Sequence, residues 1–257
     1  MRKFGLIGKT LQHSYSQRWF ESYFAAKGIC DAEYNLWEME SLEGLRGWIA
    51  ETGCEGFNVT LPYKRDIVPL LDAIDDDAQE IGAVNCVSVE WQRDSDASCG
   101  REGFLLRGHN TDWRGFLETL RPLLEEHHRR ALILGTGGAA QAVRYALGQL
   151  GIAYKMVSRS PEAHPGTVGY GEAFLLAESH QLIVNTTPVG MFPNDAETPW
   201  KDLHSIGMQH LCYDLIYNPE ETRWMLECEL AGATVINGLE MLHRQAELSW
   251  EIFKGNF

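Results

Sequence analysis

The stretch that most restricts the fold of this chain is ALILGTGGAA, residues 131–140. An apolar run reads as a strand, and Gly135-x-Gly137-x-x-Ala140 leads from it into a helix that begins with small residues. That order is a dinucleotide-binding fingerprint with alanine in its third position. Gly135 permits a tight turn, Gly137 lets the backbone approach a pyrophosphate, and Ala140 allows close helix–strand packing. The N–H groups at the helix start then face the phosphates.

The tip of the following strand selects between cofactors. An acidic residue there grips the ribose hydroxyls of NAD, whereas an arginine accommodates a 2′-phosphate. The chain reads MVSRSPEAH, with Ser158, Arg159 and Ser160 at the tip and no carboxylate among them. The planar guanidinium suits phosphate, and flanking serines add hydrogen bonds. NADP is the expected cofactor.

Strand-like runs alternate with helix-like ones along most of the chain, as expected of an α/β protein with parallel sheets. Strands are expected near Phe4–Gly8, Ala32–Trp37 and Gly56–Val59, with helices near Gln17–Lys27 and Leu42–Glu51 between them. Two more strands, near Val84–Trp91 and Gly103–Gly108, flank the polar, hairpin-like connection QRDSDASCGRE. A helix follows from Asp112 to Leu120, with Thr111 as its expected N-cap. From Arg130 a second series runs through ALILG, a helix to Leu150, YKMVS, QLIVN, HLCYDLI, a helix near Glu221–Ala231, ATVIN and a last helix from Leu239 to Phe253. A boundary between two domains is expected near Gly108–Asp112.

In GFNVTLPYK, residues 56–64, a strand is stopped by Pro62, which lacks the N–H and fixes φ. Asn58, Thr60 and Lys64 therefore sit at or just beyond a strand's carboxyl end, where open α/β sheets bind ligands. The net charge of −14 disfavours nucleic acid and obliges any anion site to use local donors. No apolar run approaches the ~20 residues that span a bilayer. The start MRKFGLIGKT is too short in apolar residues for a secretory signal. Six scattered cysteines without C-x-x-C pairs fit reduced thiols in a cytoplasmic protein, and the histidine spacing offers no metal site.

Taken in order, HSYS, GFNVTLPYK, GAVN, GHNTDWRGF, GTGGAA, VNTTPVGM, YDLIYNP and GLEMLHRQA closely resemble the motifs of the shikimate dehydrogenase family. They cover nearly the whole chain. The resemblance implies an α/β protein of two domains with a deep interdomain cleft. Residues 1–108 and 238–257 would form a substrate-binding domain, and 109–237 a Rossmann-like NADP-binding domain. It implies reversible reduction of 3-dehydroshikimate to shikimate with NADPH, in the shikimate pathway of aromatic amino acid biosynthesis. The partner would be this small molecule, with no nucleic acid or membrane, in a monomer or homodimer.

Residue by residue, the resemblance makes Lys64 the catalytic lysine and Asp112, in N-T-D, its carboxylate partner. Ser14 and Ser16 match the serines that hold the substrate carboxylate, and Thr60, Asn85, Tyr217 and Gln245 match further substrate contacts. Gly135, Thr136, Gly137, Gly138, Ala139, Ser158, Arg159, Ser160, Leu215 and Gly238 fall where the family binds its cofactor, as does Asp76. Hydride addition to a ketone leaves an alkoxide that needs a proton and a positive neighbour, and an ammonium supplies both.

The chain also departs from the family pattern. S-x-S-P usually continues into a His-Asn pair, whereas Gln17, Phe20 and Glu21 stand here. Trp113 follows the N-T-D aspartate where glycine is frequent. Ala163 occupies a position where members often carry a second basic residue for the 2′-phosphate. His13, His109 and His243 lie inside motifs and read as packing or loop residues. An NAD-using quinate/shikimate dehydrogenase is the neighbouring alternative, against which the two-serine loop and Arg159 stand. A metabolite sensor on the same fold would not need Lys64 and Asp112.

Overall fold

The computed structural model describes residues 1–12, 14–92, 103–201 and 203–255. His13 and most of the QRDSDASCGRE connection lie outside them. The chain divides into two compact units, residues 1–111 with 245–257, and residues 112–244. Residues 109–111 and 238–244 thus fall on the other side of the expected boundaries. The last helix explains the second shift. Its early residue Met241 is part of a core with residues of the second unit, whereas Trp250, Ile252 and Phe253 pack with the first.

The first unit contains β1 (Arg2–Gly8), α1 (Ser16–Lys27), β2 (Ala32–Glu38), α2 (Leu45–Thr52) and β3 (Gly56–Val59). It continues through β4 (Ala73–Ile74), α3 (Asp76–Ile81), β5 (Cys86–Gln92) and β6 (Gly103–His109). The sheet order is β2-β1-β3-β5-β6-β4. As the hairpin-like connection leads one to expect, β5 runs antiparallel to β6; it also runs antiparallel to β3, contrary to the expected parallel arrangement. The connection between β5 and β6 is too short for the helical crossover that parallel neighbours require.

The strands of this unit alternate between two buried faces. Ile7, Phe57, Val59, Val87 and Leu106 join Leu45 and Ile49 of α2 on one face. Phe4, Leu6 and Cys86 meet Phe20 and Phe24 of α1 and the aromatic end of the last helix on the other. In β3 all four residues are buried, so Asn58 is carried into the interior by the alternation that buries Phe57 and Val59 opposite it. An amide placed there must find partners. The helix α2 begins at Leu45 rather than Leu42 because Gly44 before it has φ +77°, outside helical geometry.

The second unit contains α4 (Asp112–Leu120), β7 (Arg130–Leu134), α5 (Gly138–Gln149), β8 (Ala153–Val157), α6 (Tyr170–Leu176) and β9 (Leu182–Asn185). Then come β10 (Leu211–Asp214), α7 (Arg223–Leu230) and β11 (Thr234–Ile236), and α8 (Leu239–Phe253) begins here. The sheet is parallel in the order β11-β10-β9-β7-β8. One face packs on α4 and α5, through Phe116, Leu120, Val143 and Leu147. The other packs on α6 and α7, through Ala173, Trp224 and Cys228, with Trp200 also fully buried. The strand order reverses at β7, so the crevice at its carboxyl end is the topological switch point where doubly wound folds bind ligands.

Candidate functional site

In the first unit the chain leaves β3 into a turn pinned from both sides. The Thr60 N–H donates to the Ile7 carbonyl at 2.9 Å, and the Tyr63 N–H donates back to the Thr60 carbonyl at 2.9 Å. Tyr63 is buried, and its hydroxyl donates to the Met39 carbonyl at 2.5 Å. Immediately after it, Lys64 is half-buried, and its carbonyl accepts the Val84 N–H at 2.7 Å. The lysine's backbone is therefore fixed before its side chain does anything. β3 ends at Val59, and the turn through Pro62 carries the chain to Lys64 beyond the sheet's carboxyl edge.

Ser14 and Ser16 come together at the start of α1. The Ser14 hydroxyl oxygen accepts the Ser16 N–H at 3.3 Å, and the Ser14 N–H donates to the Leu11 carbonyl at 2.9 Å. This loop lacks the family's proline but has other restraints. The Leu11 N–H donates to the Glu38 carboxylate at 2.7 Å, and the Lys9 N–H to the Leu61 carbonyl at 3.2 Å. The second of these bonds ties the serine loop to the lysine turn.

Asn85 and Gln245 also meet. The Asn85 amide donates to the Thr111 hydroxyl at 2.9 Å and to the Gln245 side-chain oxygen at 3.3 Å, and its own oxygen accepts the Thr111 N–H at 2.6 Å. Beneath them lies a chain of buried groups. Tyr34 donates to Asn58 at 2.8 Å, and Asn58 donates to the Ser249 hydroxyl at 2.7 Å and the Asn85 carbonyl at 3.1 Å. Ser249 in turn donates to the Gln245 carbonyl at 2.8 Å and lies 3.2 Å from the Thr111 hydroxyl. Asn58, the odd residue of its strand, thus has its donors and acceptor occupied.

Tyr34 and Ser249 support the site without being singled out by any motif, and Thr111, expected as a helix cap, has its hydroxyl among Asn85, Gln245 and Ser249. Ser249 had one available signal, its i+4 spacing from Gln245, which puts both on one helical face. Ser249→Ala should leave the Asn58 amide short of an acceptor inside the unit. Leaving a buried donor unsatisfied costs about 1–3 kcal/mol. Urea unfolding of the variant should show a lower midpoint with an unchanged slope. An unmoved midpoint would mean that Asn58 repartners without loss.

Asp112 is the first residue of α4 and is buried, whereas Lys64 belongs to the other unit. Asp76 is exposed in the first turn of α3 and belongs to the first unit, whereas the other residues expected at the cofactor belong to the second. His109 is fixed by side chains, with Nδ1 2.6 Å from Asp75 and Nε2 3.1 Å from the Ser88 hydroxyl. Burial pulls its pKa below the ordinary histidine value, against the opposing pull of Asp75. His243 lies within α8, 3.9 Å from Glu240.

In the second unit the glycine loop opens at the switch point. Gly135 has φ +116°, and a Cβ there would lie 2.7 Å from the Thr186 hydroxyl, so the residue is required both for conformation and for space. That hydroxyl donates to the Leu134 carbonyl at 2.6 Å. Gly137 is the N-cap of α5 with no side-chain cap, and among the described residues beyond its chain neighbours nothing lies within 4 Å of the position its Cβ would take. The loop residues Thr136 and Ala139 are half-buried around this opening, and Gly138 between them starts the helix. Ala140 is fully buried against the sheet. An uncapped helix N-terminus beside open space is the arrangement that receives a pyrophosphate.

At the end of β8 the Ser158 hydroxyl oxygen accepts the Ser160 N–H at 3.1 Å, and Arg159 between them is exposed. Burial pushes the Tyr170 phenol up, and the nearby Arg159 charge pulls it partly back. Pro161–Ala163 forms only a 3₁₀ turn, and α6 does not start until Tyr170. Ala163 is exposed on that turn, not on an α-helix.

Leu215 and Gly238 are direct neighbours. A side chain on Gly238 would collide with the Leu215 backbone, and the Gly238 N–H donates to the Ile216 carbonyl at 2.9 Å. Just before them lies Asp214, fully buried. Burial pushes its carboxyl up to about 7 despite hydrogen bonds from Ile216, Thr222 and Asn185. The unfolded chain holds an aspartate near its ordinary ~3.9, so between about pH 4 and 7 the folded state binds more protons. Stability contributed by this group should therefore fall as pH rises through that window. Asp214→Asn should flatten that slope in chemical denaturation at stepped pH. An unchanged slope would place the titration elsewhere.

The open N-terminus of α5 can hold a dinucleotide on backbone donors, and the hydroxyls and amides gathered in the first unit can take a small polar ligand. Comparisons with known proteins agree with that chemistry. Residues 6–87 match the family model described as the shikimate dehydrogenase substrate binding domain. The chain is 33% identical over 274 residues to the shikimate dehydrogenase (NADP(+)) of Shouchella clausii, covering 99% of this chain and 93% of the relative. Shikimate dehydrogenase 1 from Peptoclostridium difficile superposes with a TM-score of 0.84 at 32% identity, over 100% of this chain and 93% of that one. The shikimate 5-dehydrogenase of Thermus thermophilus, solved in complex with NADP(H) and shikimate, gives 0.83 at 30% identity, over 99% of this chain and 94% of that one.

Proposed function

The chain belongs to the shikimate dehydrogenase family, and from that premise we propose how its own residues carry out the NADP-linked interconversion of 3-dehydroshikimate and shikimate. The reaction belongs to the shikimate pathway of aromatic amino acid biosynthesis. The observation that carries the reading is Lys64, half-buried on a turn pinned to β1 on one side and to Val84 on the other. A proton donor needs such a fixed backbone to be pre-positioned.

Bound NADPH supplies the hydride that reduces the substrate ketone. The Lys64 ammonium gives its proton to the ketone oxygen and offers positive charge as negative charge develops there. Asp112 is the carboxylate partner that orients the lysine. The Ser14 and Ser16 hydroxyls hold the substrate carboxylate without adding net charge, a suitable device in a chain of net charge −14. Thr60, Asn85, Tyr217 and Gln245 are further substrate contacts.

The unit of residues 112–244 takes the cofactor. Gly135 to Ala139 receive the pyrophosphate and Ser158 to Ser160 the 2′-phosphate, and Leu215, Gly238 and Asp76 are further cofactor contacts. The unit of residues 1–111 and 245–257 takes the substrate. The enzyme works as a monomer or homodimer in the cytoplasm, a compartment supported by the five described cysteines, all free thiols. No helix among the described residues is long and apolar enough to cross a membrane.

Spectrophotometric assay of shikimate and quinate, each with NADP and NAD, tests the reading. Turnover should be fastest with shikimate and NADP. Faster turnover of quinate with NAD would replace it with the NAD-linked alternative.

A further inference from the structure

At the carboxyl ends of β9 and β10 two loops leave the sheet side by side, and one buried carboxylate joins them. The Asp214 Oδ1 accepts the Asn185 side-chain amide at 3.0 Å and the Ile216 N–H at 3.1 Å. Its Oδ2 accepts the Thr222 hydroxyl at 2.8 Å. Asn185, Asp214 and Thr222 are all fully buried. Each donor holds a different piece of chain. The Asn185 oxygen accepts both the N–H and the hydroxyl of Thr187, at 3.0 and 2.7 Å, and so fixes the loop after β9. Thr222 caps α7 by accepting the Met225 N–H at 3.3 Å. Ile216 lies between Leu215 and Tyr217.

We propose that Asp214 is a positioning residue for the dehydrogenase reaction, fixing the Leu215–Tyr217 segment against the end of β9 and the start of α7. The inference rests on the reading of Leu215 as a cofactor contact and Tyr217 as a substrate contact. The geometry favours this role over a purely packing one. Every partner of the carboxylate lies at or beyond a strand's carboxyl end, on the edge where doubly wound sheets bind ligands. Apolar packing cannot set this segment's height, because three donors from three elements converge there and need an acceptor. The segment is also clamped from outside, where Gly238 leaves no room against Leu215. Asp214 supplies the opposing hold from within.

The arrangement distinguishes two substitutions. Asparagine keeps an oxygen for Asn185 and Ile216 and turns its amide to the Thr222 hydroxyl, which can accept as well as donate. Alanine removes the acceptor and releases the segment. Steady-state kinetics should be run well below each variant's melting temperature, which separates misplacement from unfolding. Asp214→Ala should raise KM for both NADP and shikimate about tenfold, equivalent to ~1.4 kcal/mol. Asp214→Asn should stay within about threefold of wild type, by the same conversion well under that energy.

Combining Asp214→Ala with Tyr217→Phe should raise the shikimate KM no further than the larger single change, because the two act through one segment. A folded Asp214→Ala enzyme with both KM values near wild type would overturn the proposal and leave the carboxylate a stability element. If Tyr217→Phe alone leaves the shikimate KM unmoved, the reading of Tyr217 fails, and the NADP value in Asp214→Ala still decides the positioning role. Should Asp214→Ala not fold, Thr222→Val withdraws one donor and leaves the carboxylate in place. It should raise the same two KM values, and unmoved values there would equally overturn the proposal.

Discussion

Replacing Lys64 with alanine should lower kcat by about 10²–10⁴-fold, the usual worth of general acid–base assistance, while the shikimate KM changes little. The Lys64 backbone is held by neighbours that the substitution does not touch, namely the Tyr63 hydroxyl on Met39 and the Lys64 carbonyl on Val84. The turn should therefore survive, and the loss should be confined to the ammonium. A group whose proton moves only as the reaction proceeds affects the transition state more than the bound substrate, so the loss appears in kcat. A near-normal kcat with a raised KM would make Lys64 a binding residue.

Arg159→Ala should shrink the preference for NADP over NAD by about 10- to 150-fold, from the ~1.5–3 kcal/mol of a charge-assisted hydrogen bond. The lower part of that range is expected. Ala163 offers no second basic group, and it stands exposed on a 3₁₀ turn. On the proposed reading, Arg159 meets the 2′-phosphate with help from Ser158 and Ser160 and without a basic group at position 163. The Ser158 hydroxyl, already accepting the Ser160 N–H, shapes the tip more than it adds charge. KM for NADP should rise, and KM for NAD should stay nearly constant. An unchanged ratio in the variant would remove Arg159 from the cofactor site.

What sequence could reveal here was whatever is local in the chain. The glycine loop announces itself because Gly135 needs its left-handed φ and Ala140 its small volume, both fixed within six residues. Pro62 likewise marks the end of β3 wherever the strand lies. The hairpin-like connection gave the direction of β5 against β6, but its antiparallel pairing with β3 was hidden, since alternation reports which faces are buried and not which way a strand runs. The short elements β4, α3 and α6 are too brief to show a period. The support beneath the site was hidden for another reason. Tyr34, Asn58, Thr111 and Ser249 come from four distant segments, and only folding places an acceptor for Asn58 on a helix 191 residues away. Asp214 stands inside a recognisable motif, yet its role depends on Asn185 and Thr222, which other elements deliver.

On the proposed mechanism, Lys64 and Asp112 act as one proton-handling unit in NADP-linked shikimate oxidation. A double-mutant cycle in kcat tests it most directly, using wild type, Lys64→Ala, Asp112→Asn and the double variant, with reduced nicotinamide followed by absorbance. Once Lys64 is gone, a carboxylate whose task is to orient it has nothing left to do. The double variant should therefore be scarcely slower than Lys64→Ala alone, far from the product of the two single losses. Losses that multiply would show the two residues acting independently and would contradict the account.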